Sequence, residues 1–127
     1  MKLGELKAIV TGGARGMGRH FVMRMVQEGG AVAVADLDPE GLASLVAELE
    51  GAPGKVVPFE TNVADEEQVI ALVQGAHEAL GGLNCLVNNA GIFRDRLLVK
   101  TDRKTGEIRK MSLGEWQTVI DVDLTGP

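Results

Sequence analysis

The chain has 127 residues, 45% hydrophobic and 24% charged, an ordinary balance for one globular domain with a sizeable core. A net charge of −5 argues against general nucleic-acid binding. One cysteine, Cys85, excludes a disulfide framework or a cysteine-based metal cluster. No apolar run is long enough to cross a membrane, and the opening MKLGELKAIV lacks a signal-peptide core, so the sequence reads as cytoplasmic.

Residues 6 to 10, LKAIV, predict a first strand that ends at TGGARGMG. The helix after it is expected to carry Met17, Phe21, Met25 and Val26 on one side. AVAVA at 31 to 35 predicts a second strand, closed by Asp36. A helix starts near Pro39, a favoured first-turn residue, with Leu42, Leu45, Val46 and Leu49 on one stripe. KVVPF at 55 to 59 predicts a third strand, where Pro58 suits a strand end. A helix over about 65 to 80 has Asp65 as N-cap and Val69, Leu72, Val73, Ala76 and Leu80 inward. LNCLVNN at 83 to 89 predicts a fourth strand with Cys85 buried in it.

LLVKTDRKTGEIRKM at 97 to 111 predicts a charged β-hairpin around Lys-Thr-Gly. The wider stretch Arg94 to Lys110 holds seven basic and three acidic residues, so it is +4 and the remainder −9. Such charges suit a solvated surface or a basic lip for an anionic thioester. The last helix, about Ser112 to Leu124, opens with a capping box of Ser112 and Glu115. Leu113, Trp116, Ile120 and Asp123 share its apolar face, where a carboxylate is costly unless paired. Apolar, unalternating strands between amphipathic helices predict an α/β fold. The expected architecture is a doubly wound, Rossmann-like parallel sheet over residues 1 to 127, incomplete at about four strands, with the hairpin inserted.

The glycine-rich loop lies between a strand and a helix, the context in which it cradles a diphosphate. Gly12 permits the turn, Gly16 lets backbone approach a ligand, and Gly18 lets helix and strand pack closely. Asp36 closes the second strand, where an acid accepts from adenosine ribose hydroxyls and repels a 2′-phosphate. Arg15 pulls toward that phosphate. Direct bonds from Asp36 favour NAD over NADP. His20 and His77 read as helix-face residues, and no cluster has metal-ligand spacing.

Four motifs, Thr11-Gly12-x-x-x-Gly16-x-Gly18, Asp36, Asn62-Val63 and Asn88-Asn89-Ala90-Gly91, resemble the N-terminal half of the short-chain dehydrogenase/reductase family. AGIFRDRLL also resembles the β-ketoacyl-carrier-protein reductases within it. By that resemblance Asn62 and Val63 contact adenine, Asn89, Ala90 and Gly91 line the cofactor, and Asn88 braces the sheet. The implied cofactor set is Gly12, Arg15, Gly16, Met17, Gly18, Asp36, Leu37, Asn62, Val63, Asn89, Ala90 and Gly91. Asp123 stands where the family has a catalytic Asn that kinks the helix and holds a relay water. The implied reaction is hydride exchange with a small carbonyl or secondary alcohol.

The family's Ser and Tyr-x-x-x-Lys have no match, and the chain contains no Tyr. The sequence is therefore expected to be a cofactor half, completed by a C-terminal half or a second chain and oligomeric when complete. A non-catalytic dinucleotide-binding module and one chain of a split enzyme remain open. Strand four is expected to be an exposed apolar edge.

Overall fold

The structure, a computed structural model, describes residues 1–93 and 97–127. Arg94, Asp95 and Arg96, counted above in the basic stretch, lie outside the described residues. A short turn at Leu3–Glu5 precedes β1 (Lys7–Thr11), α1 (Gly16–Gln27), β2 (Ala31–Asp36), α2 (Pro39–Glu48), β3 (Lys55–Glu60), α3 (Glu66–Leu80) and β4 (Cys85–Val87). These four strands form a parallel sheet in the order β3-β2-β1-β4. The next pair, β5 (Val99–Thr101) and β6 (Ile108–Lys110), is the antiparallel hairpin expected from the sequence. Helix α4 (Leu113–Ile120) continues into a π-turn, Asp121–Thr125. No helix among the described residues is long and apolar enough to cross a membrane.

Successive residues of a strand face opposite sides of the sheet, so each apolar run feeds two cores. Val10, Val32 and Val34 meet Val22 and Val26 of α1 and Leu42 and Leu45 of α2 on one face. Ile9, Ala33 and Ala35 meet Leu72, Ala76 and Leu80 of α3 on the other. Leu45 is fully buried. Leu45→Ala should therefore cost about 2–5 kcal/mol, read from urea unfolding, whereas Leu86→Ala on the open edge should stay within about 0.5 kcal/mol. Equal midpoint shifts for the two variants would contradict this placement of the core.

Several side chains sit differently from expectation. Helix α1 buries Gly18, Val22 and Val26, while Met17 and Phe21 face solvent. The roll of the helix is set by Gly18, which must lie against the β1 turn. Val73 is exposed on α3, and Cys85 is half-buried, because β4 is an edge strand with no neighbour beyond it among the described residues. Strand β4 is confined to three residues of the predicted run. Pro58 lies inside β3, not at its end, which the sheet tolerates because β3 is the opposite edge.

The largest departure is α4. Its capping box forms, with Ser112 Oγ accepting from the Glu115 N–H at 3.2 Å. Yet none of its residues is buried, and Leu113 and Trp116 are exposed. The apolar stripe exists without a partner among the described residues. Asp123 is accordingly exposed as well, not inward.

Candidate cofactor site

A parallel sheet opens a crevice where neighbouring connections leave in opposite directions, beyond the C-terminal strand ends. Here that point falls between β1 and β4, since β1 leads away to β2 and β3. A cavity of about 470 Å³ lies at this end. Gly12, Arg15, Gly16, Ala35, Asp36, Leu37, Thr61, Asn62, Val63, Asn89, Ala90, Gly91, Ile92 and Val122 line it. Of the sequence-derived set, only Met17 and Gly18 fall outside this lining. Met17 projects into solvent, and Gly18 is buried beneath the loop.

Thr11 ends β1 and joins the two sides of the crevice. Its Oγ1 accepts the N–H groups of Asn89 and Ala90 at 3.1 and 3.0 Å. The Asn89 amide in turn donates to the Thr11 and Gly12 carbonyls, both at 3.0 Å. Asn89 therefore clamps the glycine loop as well as lining the cavity. Asn88, the residue after β4, is exposed. Asn84 ties the other end of β4, accepting the Lys7 N–H at 2.7 Å and donating to the Glu5 carbonyl at 2.9 Å.

The loop glycines have distinct duties. Gly12 has φ +64°, and a Cβ there would stand 2.8 Å from Ala90 Cα. Gly16 has φ +56° with open space where its Cβ would be, so ligand can approach the backbone. A Cβ on Gly18 would strike the Gly12 carbonyl and sit 2.5 Å from Asn89 Nδ2. Arg19 locks the rear of the loop. It donates to the Ala14 carbonyl at 3.1 Å and the Gly41 carbonyl at 3.2 Å, and pairs with Glu48 at 2.5 Å.

Asp36 stands at the rim with both carboxylate oxygens already engaged. The Ala14 N–H donates to one at 2.9 Å and the Asp38 N–H to the other at 3.1 Å. Each oxygen has a second acceptor position, so hydroxyl groups can add to these bonds. Arg15 Nε donates to Asp38 Oδ2 at 2.6 Å. That guanidinium holds the Asp38 carboxyl below its usual range, and Asp38 raises the Arg15 guanidinium in return. Sequence reasoning missed Asp38. Its only signal was its place before Pro39, the pattern of a helix N-cap.

Asn62 forms a turn on itself, its Oδ1 accepting the Ala64 N–H at 3.0 Å. Asp123 reaches the opposite wall, where its Oδ1 accepts the Ile92 N–H at 2.8 Å. The π-turn places it there: the Gly126 N–H reaches back five residues to the Asp121 carbonyl at 2.9 Å. The helix thus widens at the position where the sequence implied a kink. Gly126 packs against the Val63 carbonyl, which a Cβ would approach to 2.7 Å.

The family model for short chain dehydrogenase matches residues 6–127. The chain is 40% identical over 126 residues to a Thermotoga maritima protein named 3-oxoacyl-[acyl-carrier-protein] reductase, covering 99% of this chain and 47% of that one. It is 44% identical over 120 residues to a Mycobacterium bovis 3-alpha-(or 20-beta)-hydroxysteroid dehydrogenase, covering 94% and 41%. Among solved structures, a Burkholderia phymatum short chain dehydrogenase/reductase in complex with NAD superposes with TM-score 0.80 at 31% identity, covering 99% and 42%. The chain thus spans less than half the length of these relatives.

Proposed function

The chain belongs to the short-chain dehydrogenase family, and we propose that it is the cofactor-binding part of an NAD-dependent oxidoreductase acting in the cytoplasm on a small carbonyl or secondary alcohol. The observation that carries this reading is the Asp36 corner: a carboxylate fixed by two backbone N–H groups, with acceptor positions left at the cavity rim. The residues present fit a dinucleotide. Gly16 leaves room for a diphosphate at the N-terminus of α1, where unpaired N–H groups and the helix dipole favour an anion. Asp36 would accept the adenosine ribose hydroxyls, and Leu37, Asn62 and Val63 would flank the adenine. Ala90, Gly91, Ile92 and Val122 would line the nicotinamide end. When bound, that cofactor supplies or accepts the hydride. The two named relatives, an oxoacyl reductase and a hydroxysteroid dehydrogenase, favour interconversion of a carbonyl and a hydroxyl.

This chain's residues would position and polarise, and would not supply the acid. The general acid expected in this family is a Tyr, and these 127 residues contain none. A Ser and a Tyr-x-x-x-Lys from a C-terminal half or a second chain would complete the site, in an enzyme that is oligomeric when whole. Material of these 127 residues alone should bind nucleotide without turnover. NADH formation by pure material across a panel of secondary alcohols would contradict this. Asp123, standing where the family carries a catalytic Asn, favours a second reading, a dinucleotide-binding module that never turns over. Turnover by the full-length protein separates the two.

Asp123 is assigned to the wall beside the nicotinamide end, holding the Ile92 backbone. Asp123→Asn keeps an oxygen acceptor there and adds a donor for a relay water. In the full-length enzyme it should raise kcat while shifting cofactor affinity less. An unchanged rate would remove Asp123 from the relay. The direct test of the whole reading is calorimetric titration of the full-length protein with NAD and NADP. NAD should bind more tightly, and preference for NADP would overturn the assignment.

A further inference from the structure

The Asp36 corner contains a contact that ribose recognition does not use. Asp36 links the glycine loop to the turn after β2 through the Ala14 and Asp38 N–H groups. The residues that follow each donor, or carry it, then meet again farther out: Arg15 Nε lies 2.6 Å from Asp38 Oδ2. Arg15 is the one cation among the described residues that line the cavity, and its side chain is largely exposed at the lip. Asp38 is sheltered, with a side-chain exposure of 22%. It occupies the N-cap position of α2 without a side-chain capping bond, and its carboxylate lies against Gly41.

We propose that Asp38 is a specificity-determining residue that withholds Arg15 from a 2′-phosphate, so that the corner selects a dinucleotide with a free 2′-hydroxyl. This deepens the NAD reading above and rests on it. A guanidinium binds phosphate best through two parallel N–H groups. Here its Nε edge is taken, and its charge is balanced by the carboxylate. Arg15, Asp36 and Asp38 together leave the corner at −1, facing the dianionic phosphate of NADP. Removing the Asp38 charge frees the fork and brings the corner to zero. The position can change without loosening the ribose acceptor, since Asp38 holds Asp36 through its backbone N–H.

The test titrates NAD and NADP into full-length wild type, Asp38→Asn, Arg15→Ala and the double variant, with circular dichroism as a check on folding. Asp38→Asn should raise the NADP-to-NAD affinity ratio about tenfold, the scale of one freed charge-assisted pair. Arg15→Ala alone should move that ratio by less than about twofold, and Arg15→Ala should erase the gain in the double variant. Should Asp38→Asn unfold the helix start, Asp38→Ser restores an N-cap without charge and should give the same shift. A ratio unmoved by either Asp38 variant, while NAD still binds, overturns the gate and leaves the NAD reading standing. A gain that persists without Arg15 also overturns it, since the phosphate would then have another partner. Failure of wild type to bind either nucleotide overturns the cofactor reading and the gate together.

Discussion

A Gly18→Ala substitution is expected to abolish nucleotide binding and to destabilise the protein by about 1–3 kcal/mol. The added Cβ would collide with the Gly12 carbonyl, a backbone atom that cannot swing aside. It would also press on Asn89 Nδ2, whose two bonds hold the Thr11 and Gly12 carbonyls. Helix α1, the β1 turn and the β4 exit meet at this point, so relief requires α1 to withdraw. Withdrawal would carry the α1 N-terminus away from the cavity. Gly16→Ala makes the control. Its Cβ meets nothing within 4 Å, although φ of +56° imposes strain of about 1 kcal/mol. The two variants should therefore differ in urea midpoint, while NAD titration should weaken for both, since a Cβ on Gly16 would occupy the space left for the diphosphate. Gly18→Ala that binds NAD like wild type would show that the close packing does not set the loop.

The contrast between these glycines marks how far the sequence could be read. The strand–loop–helix context of TGGARGMG was visible because apolar runs change period at the loop. The crossovers of a parallel sheet then made a doubly wound α/β fold the expected outcome. The roll of α1 was not visible. The apolar residues Met17 and Phe21 compete with Gly18 for the inner face, and only the contact with Gly12 decides between them. For α4, periodicity identified a stripe but could not identify a partner for it. Leu113 and Trp116 are exposed here, and Asp123 is exposed too, so its carboxylate bears no burial cost and is free to accept the Ile92 N–H. Asp38 looked like an ordinary helix cap. Its pairing with Arg15 spans 23 positions, and no local pattern encodes it.

On the proposed reading, Asp36→Ala should lower NAD affinity about 10- to 100-fold, by more than the loss of a ribose acceptor alone. Each oxygen accepts a backbone N–H, one from Ala14 in the loop and one from Asp38 in the following turn. Hydrogen bonds to a charged group contribute about 1.5–3 kcal/mol each, toward the low end where water reaches the site. Alanine leaves both donors without that acceptor and unties the loop from β2. NAD would then lose the hydroxyl acceptor proposed for it and part of the loop proposed to cradle its diphosphate. NADP loses the cradle too, but gains relief from the carboxylate facing its 2′-phosphate. Preference should therefore move toward NADP chiefly because NAD binding collapses. Asp36→Asn separates the two roles, since its amide oxygen keeps one N–H bond and a hydroxyl acceptor while the charge is gone. It should retain more NAD affinity than Asp36→Ala and lose less stability in urea. Titration of both cofactors against the three proteins gives the order. An Asp36→Ala variant that holds NAD as tightly as wild type would remove this carboxylate from the site.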